Sequence, residues 1–166
     1  MAGYAELKGA SLDARNRLAD ALMARVRKEL NLSDDEIVLR ELRPEDVGYP
    51  TSEFTNSVTA ATTATLINVT LADNRYVGIY GVRYAQTGTQ SISQLKITRK
   101  GSDVRYWQIQ GTQLLENGTI YFDDPVIVDQ TTVLTITGYP VTTNTAEKIV
   151  FIGLVAEKAG SLVAKG

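Results

Sequence analysis

The sequence contains no cysteine and no histidine among its 166 residues. Without cysteine the chain cannot form a disulfide, a thiolate nucleophile or a cysteine-ligated metal site. Without histidine it lacks the commonest metal ligand and the usual general base near neutral pH, which excludes Ser-His-Asp and Cys-His arrangements. No two carboxylates have a spacing that predicts a glycoside-type acid pair. We therefore expect a protein that is not an enzyme and that holds no cofactor or metal.

The chain also lacks a strong charge of either sign and a long apolar run. Its formal net charge is −2 and its pI is about 5.2, which gives no basic surface for nucleic acid. No stretch approaches the roughly 18 apolar residues of a membrane span, and the start of the chain has no signal-peptide pattern. We therefore expect a soluble chain that binds neither nucleic acid nor membrane.

The first part of the chain, residues 1–48, predicts a helical arm. Ser11 is a suitable N-cap residue, and after it apolar residues recur every four positions, which is the spacing of a single stripe on an amphipathic helix. The stripe consists of Leu18, Leu22, Val26 and Leu30. A lone helix cannot keep such a stripe in water. It must pack on the β domain of the same chain or on a neighbouring subunit.

Two less regular segments follow the helix. Residues 33–36 fit the capping-box pattern that opens a helix, whereas residues 36–43 are compatible with a strand or a helix. We favour a strand or extended arm, which Pro44 ends. Residues 49–64 are rich in threonine and alanine and predict a linker, because a long stretch without clear elements usually connects or binds.

From residue 65 to residue 158 the hydrophobic period changes to two. About seven or eight short, β-branched strands alternate with turn signals at roughly 8–12-residue spacing. No helical stretch separates them, so we predict a mostly-β fold: an antiparallel jelly-roll-like (Greek-key) β-sandwich with an N-terminal amphipathic helix. Gly78 and Gly81 lie within a strand and predict bulges or close packing. The last strand, residues 148–156, is apolar on both faces, and residues 159–166 form a C-terminal tail.

Two groups of charged residues are candidate binding sites. The acidic group offers oxygen ligands of the kind that Ca²⁺ prefers, but its spacing matches no calcium loop, and we favour the start of a turn at Asp-Asp-Pro. It consists of Asp123, Asp124 and Asp129. The basic group brackets one hairpin, and we favour a solvated loop over a binding patch. It consists of Lys96, Arg99, Lys100 and Arg105.

Tyr106 and Trp107 are the candidate aromatic contact. Amphipathic aromatic side chains suit a platform for carbohydrate or a subunit interface. Adjacent residues of a strand face opposite sides, so both cannot lie in the core. We expect one of them in the core and the other on a surface.

Three features favour a protein that works within a larger assembly: the apolar stripe, the Thr/Ala-rich connector and the two-faced last strand. With its N-terminal extension and its β region from about Thr65 to Ala156, the chain resembles the small jelly-roll cement or decoration proteins of tailed-phage capsids. The resemblance implies trimeric β-sandwiches at local symmetry axes of the shell. Such proteins stabilise the shell by bridging neighbouring capsid subunits.

This resemblance implies a homo-oligomeric virion structural protein on the capsid surface, assembled in the host cytoplasm. Its partners would be the major capsid protein or other virion subunits, bound through the arm residues Leu18, Leu22, Val26 and Leu30. A role in the tail or in the head–tail connection fits the same residues. The main rival is a carbohydrate-binding or adhesin module that uses Tyr106 or Trp107.

Overall fold

A computed structural model describes residues 9–84, 88–99, 103–112 and 118–160. In this part of the chain one α-helix precedes ten strands, and short 3-10 turns flank the first strand. The helix α1 is Gly9–Leu30. The strands are β1 (Ile37–Glu41), β2 (Asn56–Val58), β3 (Ala64–Thr70), β4 (Arg75–Tyr84), β5 (Ile92–Arg99), β6 (Asp103–Gln108), β7 (Thr119–Val128), β8 (Val133–Pro140), β9 (Asn144–Glu147) and β10 (Ile149–Lys158).

Eight of these strands form two antiparallel four-stranded sheets. Sheet 1 has the order β1-β10-β4-β7 and sheet 2 the order β3-β8-β5-β6, while β2 and β9 pair as a short ribbon. Except for the β5–β6 hairpin, successive strands of these two sheets alternate between them, which is the strand order of a jelly roll with two Greek keys. The predicted fold class, a jelly-roll-like sandwich with an N-terminal helix, is confirmed.

The main core lies between the two sheets. Strand β5 illustrates why, because Leu95 and Ile97 are buried while the intervening Lys96 is exposed. The same period of two puts Leu134 and Ile136 of β8 into the core. The region from residue 65 onward therefore folds as its alternating pattern predicts.

Helix α1 lies on the outer face of sheet 1. Leu18, Leu22 and Val26 are completely buried there, in a second core cluster that includes Tyr76 and Tyr80 of β4 and the outward residues of β10. The apolar stripe and the apolar outer face of the sheet thus cover each other, which is the usual reason for a helix layer on a sheet.

Gly78 allows this close contact. A Cβ atom at position 78 would overlap the side chain of Leu18, so only glycine lets the helix approach β4 here. Gly81 marks the register shift between β4 and β7 that follows Ile79. Close packing at the first glycine and a bulge at the second are both as the sequence predicts.

The predicted organisation of an arm and a linker is corrected in two respects. Within the predicted arm, residues 1–48, the described residues 9–48 are not separate from the sandwich, because α1 is one of its layers and β1 is an edge strand of sheet 1. Residues 49–64 are not a free linker, because they contribute three buried core residues and contain β2, which pairs with β9. These core residues are Tyr49, Phe54 and Val58.

Residues 36–43, for which the sequence allowed a strand or a helix, contain a strand. Ile37–Glu41 pairs with β10 in antiparallel register, from Ile37 opposite Lys158 to Glu41 opposite Leu154. The capping-box segment before it forms only a single 3-10 turn, Asp34–Glu36, in which the Ser33 N–H donates to the Glu36 carboxylate at 3.1 Å.

Truncation of a stripe residue should destabilise the isolated chain. Leu22→Ala should lower the free energy of unfolding by about 3 kcal/mol, because it leaves a cavity between helix and sheet. Leu12→Ala is the matched control: Leu12 lies on the same helix but is 39% exposed, so its loss should cost less than about 0.5 kcal/mol. Urea denaturation followed by circular dichroism measures both. Equal losses in the two variants would contradict the packing of the stripe on sheet 1.

Candidate functional site

The first cluster of charged side chains that is a candidate for catalysis or binding pairs two arginines with two buried carboxylates. Arg40 of β1 donates two hydrogen bonds to Asp46, at 2.7 and 2.8 Å, and a third to Glu157 of β10 at 3.0 Å. Arg75 of β4 donates to the second oxygen of Glu157, also at 3.0 Å. The four charges satisfy one another, so the network fastens the edge strand β1 and the turn Pro44–Val47 to sheet 1.

The protonation of Asp46 reflects this network. Burial by itself would raise the pKa of Asp46, but hydrogen bonds from Arg40 and from the Arg43 N–H, together with the positive charges of Arg40 and Arg75, outweigh it. The pKa is therefore held below its usual value of 3.8. A carboxylate held ionised in this way stabilises the fold and is poorly suited to donate a proton near neutral pH.

Glu147 is a further buried carboxylate, and the donors that reach it from the described residues are neutral. It accepts hydrogen bonds from the N–H groups of Ser91 and Ile92, both at 2.9 Å, from the Tyr84 hydroxyl at 2.7 Å and from the Asn144 amide at 2.8 Å. Burial, and then the hydrogen bond to Glu147, raises the pKa of Tyr84. The four donors make Glu147 an anchor that holds the start of β5 against β9.

The predicted acidic and basic groups are dispersed by the fold. Asp124 pairs with Arg105 at 2.9 Å, and Asp129 pairs with Arg25 of the helix at 2.7 Å. Among the residues that the structure describes, no three acidic side chains lie close enough to hold a metal ion. Lys96 points away from the core toward the ring of Tyr106, at 5.9 Å from its centroid. Lys100 and the side chain of Asp123 lie outside the described part.

The predicted turn at Asp-Asp-Pro is wrong. These residues, 123–125, lie within β7, whose bounds are Thr119–Val128. Strand β7 is an edge strand, and its pairing with β4 skips from Tyr121 to Val126. Pro125 falls in this gap, where no ladder hydrogen bond is required of it, which is the position in which a sheet tolerates proline.

Tyr106 and Trp107 divide between surface and core, as the sequence predicts. Tyr106 is 60% exposed, whereas Trp107 is half-buried and packs on the main core. Trp107 also stacks on Phe122 of β7, with the ring centroids 3.3 Å apart. This contact ties the edge of sheet 2 to the edge of sheet 1.

A groove of about 580 Å³ lies at this open side of the sandwich, between β6 and β7. Its aromatic lining comes from Tyr106, Trp107, Tyr121 and Phe122. The ion pair of Arg105 and Asp124 spans it from one strand to the other. The sequence predicted the β6 side of this groove through Tyr106 and Trp107. It did not predict the β7 side, because no local pattern shows which two edge strands pack together.

The second candidate surface is the outer face of sheet 2, which we call the open face. No element of the described chain covers it, in contrast to the outer face of sheet 1. It consists of Thr65, Asn68 and Thr70 of β3, Gln94, Lys96 and Thr98 of β5, Val104, Tyr106 and Gln108 of β6, and Val133, Thr135, Thr137 and Tyr139 of β8. Lys96 is the only charged member of this set. Val133 and Tyr139 are each 44% exposed.

The predicted partner-binding residues do not belong to either surface. Leu18, Leu22 and Val26 are covered by sheet 1 of the same chain, and Leu30 is partly buried at the edge of that contact. The prediction that this stripe meets a partner is corrected, because its apolar area is already used within the chain. None of the helices in the described part has the length and apolarity needed to cross a membrane.

No protein-family model and no curated protein sequence matches the chain. The solved structures with some likeness include the C-terminal CBM6 of LamC, a marine laminarinase from Zobellia galactanivorans, with 11% identity and a TM-score of 0.32 over 73% of this chain and 100% of that one. A pentameric capsid protein from metagenomic phage sequences has 13% identity and a TM-score of 0.28 over 84% of this chain and 87% of that one.

A third solved structure is dimeric latent PorU from Porphyromonas gingivalis. Its identity is 11% and its TM-score 0.29, over 74% of this chain and 12% of that one. TM-scores at this level carry no argument about function.

The arginine network should make stability depend on pH in one direction. Because the folded-state pKa of Asp46 lies below its unfolded value of 3.8, the ionised carboxylate stabilises the fold at neutral pH, and this contribution is lost as the pH falls below about 4. Asp46→Asn should therefore lower the free energy of unfolding by about 3 kcal/mol at pH 7. At acid pH the difference from the wild type should shrink.

Urea denaturation at about pH 7 and about pH 3 measures this difference, with Asp20→Asn on the exposed face of α1 as the control. An Asp46→Asn deficit of the same size at both pH values would show that the carboxylate's charge does not matter.

Proposed function

We propose that this chain is a structural protein of a virion, a capsid decoration or cement protein that stabilises the shell by bridging neighbouring capsid subunits. The observation that carries the proposal is the open face of sheet 2, through which copies of the chain would join into the oligomer that bridges the shell. Interfaces between subunits are depleted of charged side chains and enriched in tyrosine at their centres. The open face has this composition, although 22% of all residues are charged.

The opposite side of the molecule has the composition of an ordinary solvent-exposed surface. The outer side of α1 carries exposed charges of both signs, such as Asp13, Arg17, Asp20 and Lys28. A protein that met its partners through the helix would not need this mixture, whereas a protein that meets them through sheet 2 would leave it in water. The two layers of the sandwich thus differ in the way expected of a free side and a bound side.

The centre of the proposed contact is β8 rather than β6. The exposed apolar residues Val133 and Tyr139 lie at the two ends of β8, and Thr135 and Thr137 stand between them. Uncharged side chains of this kind let two copies of the chain approach without repulsion or desolvation of charge. We therefore commit to a second copy of this chain as the occupant of the open face, in a homo-oligomer that the family resemblance suggests is a trimer.

The fold and the composition are compatible with this proposal. Jelly rolls include viral capsid domains as well as lectins, but a fold by itself does not determine a function. The lack of histidine and cysteine, and the hydrogen bonds that occupy the buried carboxylates Asp46, Glu147 and Glu157, support a non-enzymatic role. A place on the capsid surface follows from the decoration role, while a place in the tail or head–tail connection would use the same face.

A charge placed on the open face should break the oligomer. The wild type should have a mass in solution of at least twice the 18.1 kDa of one chain. Val133→Lys and Tyr139→Lys should each weaken self-association at least about tenfold, because the ammonium group would lose its water in the interface. Sedimentation velocity and light scattering measure the mass.

Leu12→Lys is the matched control, since it makes the same change from an exposed apolar residue to lysine on the helix side. It should leave the oligomer intact. A monomeric wild type at the same concentration, or an oligomer indifferent to both open-face variants, would overturn homo-oligomerisation through this face.

The virion role has a separate test in the position of the gene. Neighbouring genes for a capsid protein, a portal and a terminase are expected. Neighbours that encode polysaccharide-degrading enzymes would instead favour the carbohydrate-binding alternative for the whole protein.

A further inference from the structure

We infer that a second copy of the chain adds its β3 to the free edge of β3, antiparallel and across a two-fold axis, so that sheet 2 continues from one copy into the next. This contact is distinct from the proposed contact over the open face, because strand pairing joins two copies side by side in the plane of the sheet. The inference rests on the chemistry of β3 and on a comparison of the four edge strands of the two sheets.

Three of the four edge strands have features that discourage the addition of another strand. Short length, charged side chains and proline are the usual protections of a sheet edge. Strand β1 has only five residues, two of which are charged. Strand β6 begins at Asp103 and contains Arg105. Strand β7 contains Pro125, and the Arg105 guanidinium donates to the C=O of Asp124 at 3.1 Å.

Strand β3 lacks these protections. Its seven residues, Ala64–Thr70, include no charged residue and no proline. A register shift between Thr65 and Ile67 interrupts its pairing near the start, and the stretch that follows pairs regularly with β8. Within the described part of the chain, the turn Pro44–Val47 contacts β3, but no backbone hydrogen bond joins the two. The outer edge of β3 is therefore available for another strand.

The main-chain groups that face outward from this edge are those of Asn68 and Thr70. In an antiparallel pair, alternate residues direct both N–H and C=O toward the partner strand. The Leu71 N–H donates to the Thr132 C=O at 3.1 Å, so Val69, two positions earlier, also faces β8. The N–H and C=O groups of Asn68 and Thr70 then point away from β8, to the side on which a further strand would pair.

Strand β3 is complementary to a copy of itself. Asn68 and Thr70 place exposed, uncharged side chains on the open face, whereas Val69 is half-buried on the core side. With Val69 on the two-fold axis, Asn68 of one copy would lie opposite Thr70 of the other, and each such pair would exchange its N–H···O bonds. Polar side chains would neighbour polar ones and valine would neighbour valine, with no charge buried. A two-fold contact requires this self-complementarity, and strand addition supplies its hydrogen bonds.

A single introduced cysteine tests the pairing. The sequence contains no cysteine, so a disulfide in Val69→Cys can form only between copies. Oxidation should give a linked dimer of twice 18.1 kDa on a non-reducing gel, because residues opposite each other at this position lie about 4.5 Å apart, within the range of a disulfide. Val104→Cys is the matched control, a 40% exposed valine on β6 at the other edge of sheet 2. It should give at least about fivefold less dimer.

A proline tests the outward N–H group itself. Asn68→Pro removes an N–H that β8 does not use, so the edge strand can accept the proline. It should raise the dissociation constant of the β3 pair at least about tenfold. Val104→Pro is the control, because the bond from the Ile109 N–H to the Ser93 C=O, at 2.9 Å, puts the Val104 N–H on the outward side of β6. Sedimentation equilibrium up to about 0.5 mM compares the two in the Val133→Lys background, which weakens the open-face contact.

In that background, Val133→Lys alone should keep twice the mass of one chain, and Val69→Cys should still cross-link. The inference is overturned if Val69→Cys gives no more dimer than Val104→Cys, or if Asn68→Pro, with its fold verified by circular dichroism, associates as strongly as Val104→Pro. Where Asn68→Pro fails to fold, the cross-link decides alone. Either negative result leaves the open-face contact standing, because that contact is judged by the fall in mass from the wild type to Val133→Lys.

Discussion

The packing of α1 on sheet 1 is the contact on which the rest of the molecule depends. It buries Leu18, Leu22 and Val26 together with the outer face of β4 and β10, and it requires a glycine at position 78. Since one helix covers one sheet, the sandwich becomes asymmetric. Sheet 1 is buried on both faces, while sheet 2 has one face without a cover among the described residues. The open face of sheet 2 follows from this asymmetry.

The charged groups of the interior serve the same architecture. Arg40 and Arg75 form ion pairs with Asp46 and Glu157 where β1 joins sheet 1. On the helix, Arg25 forms an ion pair with Asp129 at 2.7 Å, which fixes α1 to the sandwich. Burying such charges is costly unless each finds its partner, and Arg40, Asp46, Arg75 and Glu157 pair with one another. They therefore fix the positions of edge strands and turns, and they leave no free acid or base among themselves for catalysis.

Much of the fold could be predicted from the sequence, because the pattern of period two after residue 65 reflects a buried and an exposed face directly. The surface on which the helix packs could not be predicted from the sequence. An amphipathic stripe shows that a partner surface exists but not where it is. The two-faced strand at residues 148–156 was that surface, and Gly78 was its point of closest approach. The apolar stripe of the helix and the two-faced last strand were interpreted separately as signs of assembly. In the structure they pack against each other within one chain. Likewise Tyr121 and Phe122 join Trp107 only through the meeting of two edge strands, which no local pattern encodes.

The open face and the groove meet at β6, and this position constrains how both can operate. Tyr106 belongs to the open face and also lines the groove. A copy of the chain packed over β6 would cover the groove, whereas a copy centred on β8 would leave it accessible. The exposed apolar area of Val133 and Tyr139 lies on β8, and the charge of Lys96 separates it from Tyr106. Because a buried, unpaired ammonium group would be costly, Lys96 marks the border at which a subunit contact must end. The edge strand β6 beyond it therefore stays outside the contact between the two copies.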